Sequence, residues 1–195
     1  MCHNDTIIYW DMENSKNREI NGKWGYMGEL RKLELKDKDK LEELIIRISI
    51  EIENEYFWLP INNESREHFF DKKWTYFLGM FEEDELIAAV GLFFNRNEYE
   101  ESEKILEIEN YNNAEIGRAM VLSKYRHNGL MKKITKELIT YAKEHEIQYL
   151  IATAHPENMP SKKSLEAVGM VKKAHCLKLK KYERDIYLLK CGENQ

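Results

Sequence analysis

Hydrophobic residues in the C-terminal half of the chain change their spacing several times, and each change predicts a new element. A short, mostly apolar run at 116–122 predicts a buried strand, and a polar loop follows at 123–129. From Leu130 to about residue 145, apolar residues recur every three or four positions, which is the period of one helix face. The apolar run 148–154 predicts a second buried strand.

The N-terminal half has strand-like and helix-like patterns of its own. Alternating apolar and polar residues at 29–35 predict an edge strand, and helical spacing from Asp39 onward predicts a helix in a region that Pro60 ends. Two β-prone runs at 75–81 and 86–94 flank an acidic turn, and together they predict a hairpin.

Polar residues dominate the stretch after the hairpin, and the chain closes with short elements. The strongly acidic segment 95–113 predicts an exposed connection with some local structure near 105–108. Beyond the second buried strand we predict a short helix at 161–168, which Gly169 ends. We then predict a strand at 171–179, a turn at 182–184 and a strand at 185–190.

Length and composition narrow the class of protein. The 195 residues are most simply one domain, and 43% hydrophobic with 33% charged residues is typical of a soluble globular protein. Cys2, Cys176 and Cys191 are odd in number and follow no pattern, which favours a reducing, cytoplasmic location. No apolar run approaches the ~20 residues of a membrane span, so we expect no membrane partner. No His, Cys and carboxylate set has zinc spacing, so we expect no metal.

A cationic patch stands out against the overall acidity. The chain carries 30 Lys and Arg against 35 Asp and Glu, yet every charged residue between Glu115 and Glu137 is basic. Gly129 lets a ligand approach the backbone, and the first N–H groups of the following helix have no partner within that helix. We expect a polyphosphate ligand here in preference to nucleic acid. The motifs G-x-x-x-x-G-K-[ST] and G-x-G-x-x-G are both absent.

Two motifs carry a resemblance to a known family. Arg126-His127-Asn128-Gly129-Leu130-Met131 resembles the R/Q-x-x-G-x-G/A pyrophosphate loop of the GNAT superfamily of acyl-CoA-dependent N-acetyltransferases, with Met131 where a small residue is usual. The segment 155–161, followed by Leu165-Glu166-Ala167-Val168-Gly169-Met170, is similar to the second signature of that family. In that signature an asparagine after a strand precedes a short helix.

The resemblance implies an α+β GNAT fold, in which a mixed, mainly antiparallel twisted sheet is flanked by helices and preceded by an N-terminal extension. We assign residues 1–28 to an N-terminal arm and residues 29–192 to a single N-acetyltransferase domain. Trp10, Trp24 and Tyr26 favour an arm that packs against the domain. An arm that covers a substrate cleft is the alternative.

For the cosubstrate, the resemblance implies acetyl-CoA. Backbone groups of Met120, Val121 and Leu122 would meet the pantetheine and the thioester carbonyl. Asn158 would hydrogen-bond the pantetheine arm, and Lys162 would add positive charge near the pyrophosphate. The pyrophosphate itself would lie in the loop formed by Arg126, His127, Asn128, Gly129, Leu130 and Met131.

For catalysis, Glu115 is the candidate general base, because its spacing to Gly129 resembles that of the glutamate base in histone-type members of the superfamily. A surface glutamate at a strand end is the alternative. Many members place a tyrosine seven residues after the motif asparagine, where this chain has Leu165. Ser161 matches a serine of the ribosomal-protein branch and is the candidate general acid, although it is equally a candidate helix N-cap. Tyr182 is a weaker candidate acid.

The segment after the first helix mixes carboxylates with aromatic residues, and in this fold it lines the acceptor cleft. Its members are Glu51, Glu53, Glu55, Tyr56, Phe57 and Trp58. They would hold an amine cation by ion pairs and cation–π contacts. A solvated face with one aromatic core anchor is the alternative.

The function implied by the resemblance is transfer of acetyl from acetyl-CoA to a primary amine of a small molecule or of a protein or peptide. A non-catalytic acyl-CoA-binding sensor or partner-binding module is the alternative, which the missing tyrosine and Met131 keep open. A further alternative is acetylation of a basic protein partner docked on the acidic segments. The sequence does not choose the acceptor, and pairing of two copies through the terminal strands is consistent with it.

Overall fold

The computed structural model describes residues 18–20, 23–25, 28–61 and 66–192. The first two ranges are the short strands β1 (Arg18–Ile20) and β2 (Lys23–Gly25), which pair antiparallel. The rest of the predicted arm up to residue 27 lies outside the described residues, and with it the prediction that its aromatic side chains pack on the domain.

Within the described residues, a seven-stranded sheet forms the centre of the molecule. In chain order its strands are β3 (Glu29–Lys32), β4 (Thr75–Glu82), β5 (Glu85–Phe93), β6 (Asn113–Val121), β7 (Tyr149–Ala154), β8 (Val171–Lys178) and β9 (Tyr182–Lys190). Across the sheet their order is β3-β4-β5-β6-β7-β9-β8. The pair β6 and β7 is parallel, and the other neighbouring pairs of this sheet are antiparallel. The predicted mixed, mainly antiparallel sheet is confirmed.

The helices that flank the sheet are α1 (Lys38–Glu51), α2 (Glu100–Leu106), α3 (Leu130–Glu144) and α4 (Met159–Glu166). The helices α1 and α3 cover opposite faces. Lys40 of α1 lies over the ring of Phe81 in β4, with 5.8 Å from its Nζ to the ring centroid. Tyr141 of α3 stacks on Tyr76 of the same strand, with ring centroids 3.9 Å apart. Tyr76 and Phe81 are five positions apart, so their side chains point to opposite faces.

The helix α2 corrects the prediction that the acidic segment 95–113 is an exposed connection. Ser102 and Glu103 are buried, and the Asn113 Nδ2 donates to Glu103 Oε1 at 2.7 Å. The Tyr99 hydroxyl donates to the Asn113 backbone oxygen at 2.8 Å. Polar side chains therefore attach this helix to the start of β6, and a pattern of hydrophobic residues does not reveal such attachment.

The closing hairpin corrects the prediction of a turn at 182–184. The register pairs Lys178 with Tyr182, so the connection consists of residues 179–181, and β9 begins three residues earlier than predicted. Leu179 and Lys180 both have positive φ, at 52° and 58°. Neither residue type favours that region, so the sequence carried no signal for this turn.

Candidate active site

The sheet opens between β6 and β7. These two strands pair only from Asn113 to Ile116 on β6, opposite Tyr149 to Ala152 on β7. Beyond Ile116, β6 stays paired with β5 as far as Val121, whereas β7 stays paired with β9. The two strands therefore diverge toward their carboxyl ends, which leaves a V-shaped opening in the centre of the sheet.

A β-bulge at Arg118 lies where this opening starts. Gly91 of β5 pairs with Gly117, and two residues earlier Ala89 pairs with Met120, three residues further along β6. Arg118 takes up the extra position with a φ of 51°. A bulge bends and twists its own strand, which accounts for the departure of β6 from β7.

Backbone groups of Val121 point into the opening. The Leu122 N–H donates to the Ile87 oxygen at 3.0 Å, so this N–H is directed at β5. Backbone groups alternate in direction along an extended strand, which turns the N–H and carbonyl of Val121 away from β5. Arg126 confirms that direction, since its Nε donates to the Val121 oxygen at 3.2 Å. Of the three predicted backbone positions, Met120 and Leu122 are directed at β5, opposite Ala89 and Ile87, and Val121 faces the opening.

The predicted pyrophosphate loop follows directly. Gly129 occupies the N-cap position of α3 in the left-handed region, with a φ of 71°. A Cβ added at Gly129 would meet no described atom within 4 Å. Residues 126–129 are exposed, whereas Leu130 is buried and Met131 packs its side chain partly against the core. The loop thus presents backbone to solvent at a helix N-terminus, as an anion site requires.

Glu51, at the end of α1, reaches this loop. Its Oε2 accepts a hydrogen bond from the Ser123 N–H at 2.9 Å and lies 3.7 Å from an Arg126 nitrogen. The predicted acceptor-side glutamate therefore contacts the predicted cofactor loop. Glu51 and Ser123 are 72 positions apart in the chain, so no local pattern indicated this contact.

Glu115 lies in the paired part of β6, next to the opening. Its side chain is 9% exposed, and its Oε1 is 3.5 Å from the Lys178 Nζ. Burial raises the pKa of Glu115, and the charges of Lys178 and Arg118 oppose that rise. The alternative of an exposed strand-end glutamate is therefore wrong.

Arg118 ties the segment after α1 to the sheet. Its Nη1 donates to the Leu59 oxygen at 2.8 Å, and its Nη2 is 3.6 Å from Glu98 Oε2. Lys178 reaches the same place from β8, since its Nζ donates to the Glu98 backbone oxygen at 3.3 Å. Arg118 was part of the predicted cationic patch, but its guanidinium contacts Leu59 and Glu98. The position of Lys178 here was not predicted, because β8 is far from β6 in the chain.

Aromatic side chains of the segment after α1 stand beside the opening. The rings of Tyr56 and Tyr182 have centroids 5.9 Å apart, and those of Phe57 and His155 are 5.2 Å apart. Lys181 Nζ lies 5.1 Å from the Tyr56 ring centroid. The segment therefore contacts the β8–β9 turn and the end of β7, where an acceptor would approach.

The N-terminus of α4 holds the remaining predicted residues. Asn158 is the N-cap, and its Oδ1 accepts the Ser161 N–H at 3.1 Å, so the idea of Ser161 as N-cap is wrong. The Lys162 Nζ donates to the Pro156 oxygen at 3.0 Å and lies 3.1 Å from Asp185 Oδ2. Leu165, at the position of the missing tyrosine, is buried in the core.

A family model described as "Acetyltransferase (GNAT) family" matches residues 41–170. That is two thirds of the chain and includes the opening, the loop and α4. The chain belongs to the GNAT acetyltransferase family. No curated protein sequence matches it significantly. Within the described residues, no helix has the length and apolar character to cross a membrane, and no three His, Cys, Asp or Glu side chains form a group that could hold a metal ion.

Solved structures of GNAT proteins share the fold at low identity. The chain resembles NAA60 of Arabidopsis thaliana in complex with acetyl-CoA, with a TM-score of 0.66 and 15% identity over 83% of this chain and 97% of that one. It also resembles the ribosomal-protein-S18-alanine N-acetyltransferase of Escherichia coli, with a TM-score of 0.63 and 12% identity over 87% and 97% of the two chains. An N-acetyltransferase of Staphylococcus aureus gives a TM-score of 0.62 and 16% identity over 85% and 98%.

Proposed function

We propose that this protein is an N-acetyltransferase that moves acetyl from acetyl-CoA to a primary amine of a small molecule or of a protein or peptide. The observation that carries the proposal is the V-shaped opening between β6 and β7, with the Val121 N–H on one edge and the Gly129 loop at its mouth. An opening of this shape suits a ligand with a long arm that ends in a pyrophosphate. The family membership and the acetyl-CoA complex of NAA60 support the same cosubstrate.

Both backbone groups and side chains around the opening would bind acetyl-CoA. The exposed N–H groups at the start of α3 would hold the pyrophosphate, with Arg126 as the nearby cation. The Val121 N–H would donate to the thioester oxygen and stabilise the negative charge that develops there during attack. Asn158 would use its amide nitrogen for the pantetheine arm, since its oxygen already accepts the Ser161 N–H.

Glu115 would act as the general base. The amine nitrogen forms a bond to the acyl carbon, the carbon–sulfur bond breaks, and the ammonium proton passes to the Glu115 carboxylate, directly or through water. Burial raises the pKa of Glu115, which makes its carboxylate a better proton acceptor than an exposed one. Ser161 would protonate the departing thiolate from the first turn of α4, and Tyr182 is the second candidate for that step.

A non-catalytic acyl-CoA-binding module remains the competing function, because Leu165 faces the core at the position where many family members have a tyrosine. Both functions predict acetyl-CoA binding, and only catalysis predicts turnover. Measuring CoA release and acetylated amine by mass spectrometry therefore distinguishes them.

The first test is thermal unfolding with acetyl-CoA, CoA or ATP. At a hundredfold excess of ligand over its dissociation constant, binding stabilises the folded state by about 2.7 kcal/mol. For a domain of this size the melting temperature rises by roughly 5–10 °C. We expect this rise with both CoA forms and none with ATP. A protein that responds to none of the three contradicts the proposal.

A further inference from the structure

Arg184 of β9 is a buried guanidinium with spare hydrogen-bonding capacity. The residue is 2% exposed. Its Nη1 donates to the Glu183 backbone oxygen at 2.7 Å, whereas its buried Nη2 has no hydrogen-bond partner within the described part of the chain. Its Cζ lies 5.6 Å from the Tyr182 ring centroid. Buried polar groups are normally paired, so an unpaired guanidinium nitrogen calls for a ligand.

Arg184 lies beside the opening between β6 and β7. Asp185 pairs with Ala154, the last residue of β7, so Arg184 lies beyond the end of that strand. Its side chain is on the same face of the sheet as Glu115, because Glu115 pairs with Ile151 and Ile151 pairs with Leu188, four residues from Arg184. Arg184 therefore faces the side from which the proposed base acts.

The charges around this position leave a positive excess. Three cations, Arg118, Lys178 and Arg184, stand near two carboxylates, Glu98 and Glu115, among the described residues. The side chains of Lys178 and Glu115 are less than a tenth exposed, and that of Arg118 is 12% exposed. Burial lowers the pKa of Arg184, and nearby groups, Glu115 among them, oppose that fall. An anion that enters here would supply the missing charge.

We propose that the acceptor is a small amine that also carries a carboxylate, such as a free α-amino acid, and that Arg184 binds this carboxylate. The inference rests on the proposed acetyltransferase function and narrows its substrate class. A carboxylate is the anion that fits a planar guanidinium best, because it accepts two parallel hydrogen bonds. Polyamines and basic peptides would instead add positive charge to a site that already has an excess.

The test compares matched acceptors with the full-length protein at saturating acetyl-CoA. A panel of α-amino acids is assayed beside the carboxamide and the decarboxylated amine of each, together with spermidine and a peptide with an amidated C-terminus. We expect kcat/KM for the amino acids to exceed that for their amides and decarboxylated amines by at least about tenfold, as the loss of a charged hydrogen bond predicts. Arg184→Met should abolish that preference, by lowering kcat/KM for amino acids and leaving that for the amides within about twofold.

Two further variants separate binding from folding. Arg184→Lys keeps the charge and should keep part of the preference. Arg47→Met removes an arginine of α1 that pairs with Glu85 of β5, a strand that does not neighbour β9, and should leave the preference unchanged. Thermal unfolding with acetyl-CoA is measured for each protein. An equal rise in wild type and Arg184→Met shows that the variant is folded and binds the cosubstrate.

The outcomes distinguish failure of the acetyltransferase function from failure of the inference about the acceptor. If acetyl-CoA neither stabilises the protein nor is turned over, the acetyltransferase function fails and the inference fails with it. If acetyl-CoA binds and amines without a carboxylate are acetylated as well as amino acids, the inference alone is wrong. If acetyl-CoA binds without turnover of any amine, amino acids must raise the melting temperature of the CoA-loaded wild type and not of Arg184→Met. Absence of that rise also contradicts the inference.

Discussion

At the scale of single residues, the burial of Glu115 makes its proposed role measurable. A base acts only when deprotonated, and burial raises the pKa of Glu115, so turnover should rise with pH through a value above the usual 4.5 of a glutamate. Glu115→Gln should lower kcat by at least about tenfold and flatten that rise, because the amide accepts no proton. The measurement is the pH profile of kcat with saturating acetyl-CoA.

Glu137→Gln is the matched control for this substitution, since Glu137 is exposed on α3. It should leave the pH profile unchanged. Both variants should retain the rise in melting temperature that acetyl-CoA produces in the wild type. An unaltered pH profile in Glu115→Gln would remove this residue from the mechanism.

Asp37 offers a separate test of stability, far from the opening. Both carboxylate oxygens accept hydrogen bonds of 2.7 Å from Arg31, and one also accepts the Glu34 N–H at 2.9 Å. These contacts, the Arg31 hydrogen bond above all, lower the pKa of Asp37 from 3.8 to about 2. A lowered carboxyl pKa stabilises the fold above the unfolded value and loses that contribution as pH falls through the folded value.

Asp37→Asn should therefore lower the free energy of unfolding by about 2 kcal/mol at pH 7, since each unit of pKa shift corresponds to about 1.4 kcal/mol. The difference between variant and wild type should shrink between pH 4 and pH 2. Urea unfolding across this range measures both effects. Asp39→Asn, an exposed carboxylate in the first turn of α1, should change stability by less than about 1 kcal/mol. A difference between Asp37→Asn and wild type that is constant with pH would contradict the assignment to ion pairing.

At the scale of elements, alanine substitutions at two glycines can distinguish the effect of backbone strain from the effect of lost ligand binding in the loop before α3. Gly129 and Gly169 both have positive φ, at 71° and 90°, and an added Cβ has room at each position. Substitution of either by alanine should destabilise the fold by about 1 kcal/mol, because alanine disfavours that region. Only Gly129→Ala should weaken acetyl-CoA binding, by at least about tenfold, because its Cβ would occupy the space of the pyrophosphate.

Isothermal titration with acetyl-CoA and urea unfolding of both variants check this prediction. Gly169→Ala is the control, since Gly169 follows α4 and has Leu189 as its nearest neighbour. Intact affinity in Gly129→Ala would mean that the anion site lies elsewhere.

The elements also show why part of the fold was predictable and part was not. The helix α3 was predicted almost to its ends because its buried face, with Ile134 and Leu138, repeats at the helical period. The helix α2 was missed because its attachment is polar and depends on Asn113, which lies beyond its end in sequence. Local pattern predicts an element that carries its own hydrophobic face, and it fails for one that other parts of the chain hold in place.

At the scale of the whole molecule, the site also combines residues that a local pattern reveals with residues that come from distant parts of the chain. The residues of the loop at 126–131 are contiguous, so their motif was visible in the sequence. The charged cluster combines a residue before β6, two within it and one each from β8 and β9, and no spacing rule joins such positions. Its members are Glu98, Glu115, Arg118, Lys178 and Arg184. Only the order of strands in the sheet brings them together, so the proposed carboxylate site of the acceptor could be inferred only with the structure in hand.

Removal of residues 1–27 tests the proposed division into an arm and a domain. The buried apolar core of the described residues is drawn from Leu33 onward, with Leu30 packed against it, so a chain of residues 28–195 should unfold in one cooperative transition. We expect it to bind acetyl-CoA as tightly as the full chain and to melt at a lower temperature, because an arm that buries aromatic side chains adds stability. The KM for the amine should stay unchanged. A raised or lowered KM together with an unchanged melting temperature would instead place the arm over the acceptor cleft. Calorimetry and amine kinetics on both chains decide between these two roles.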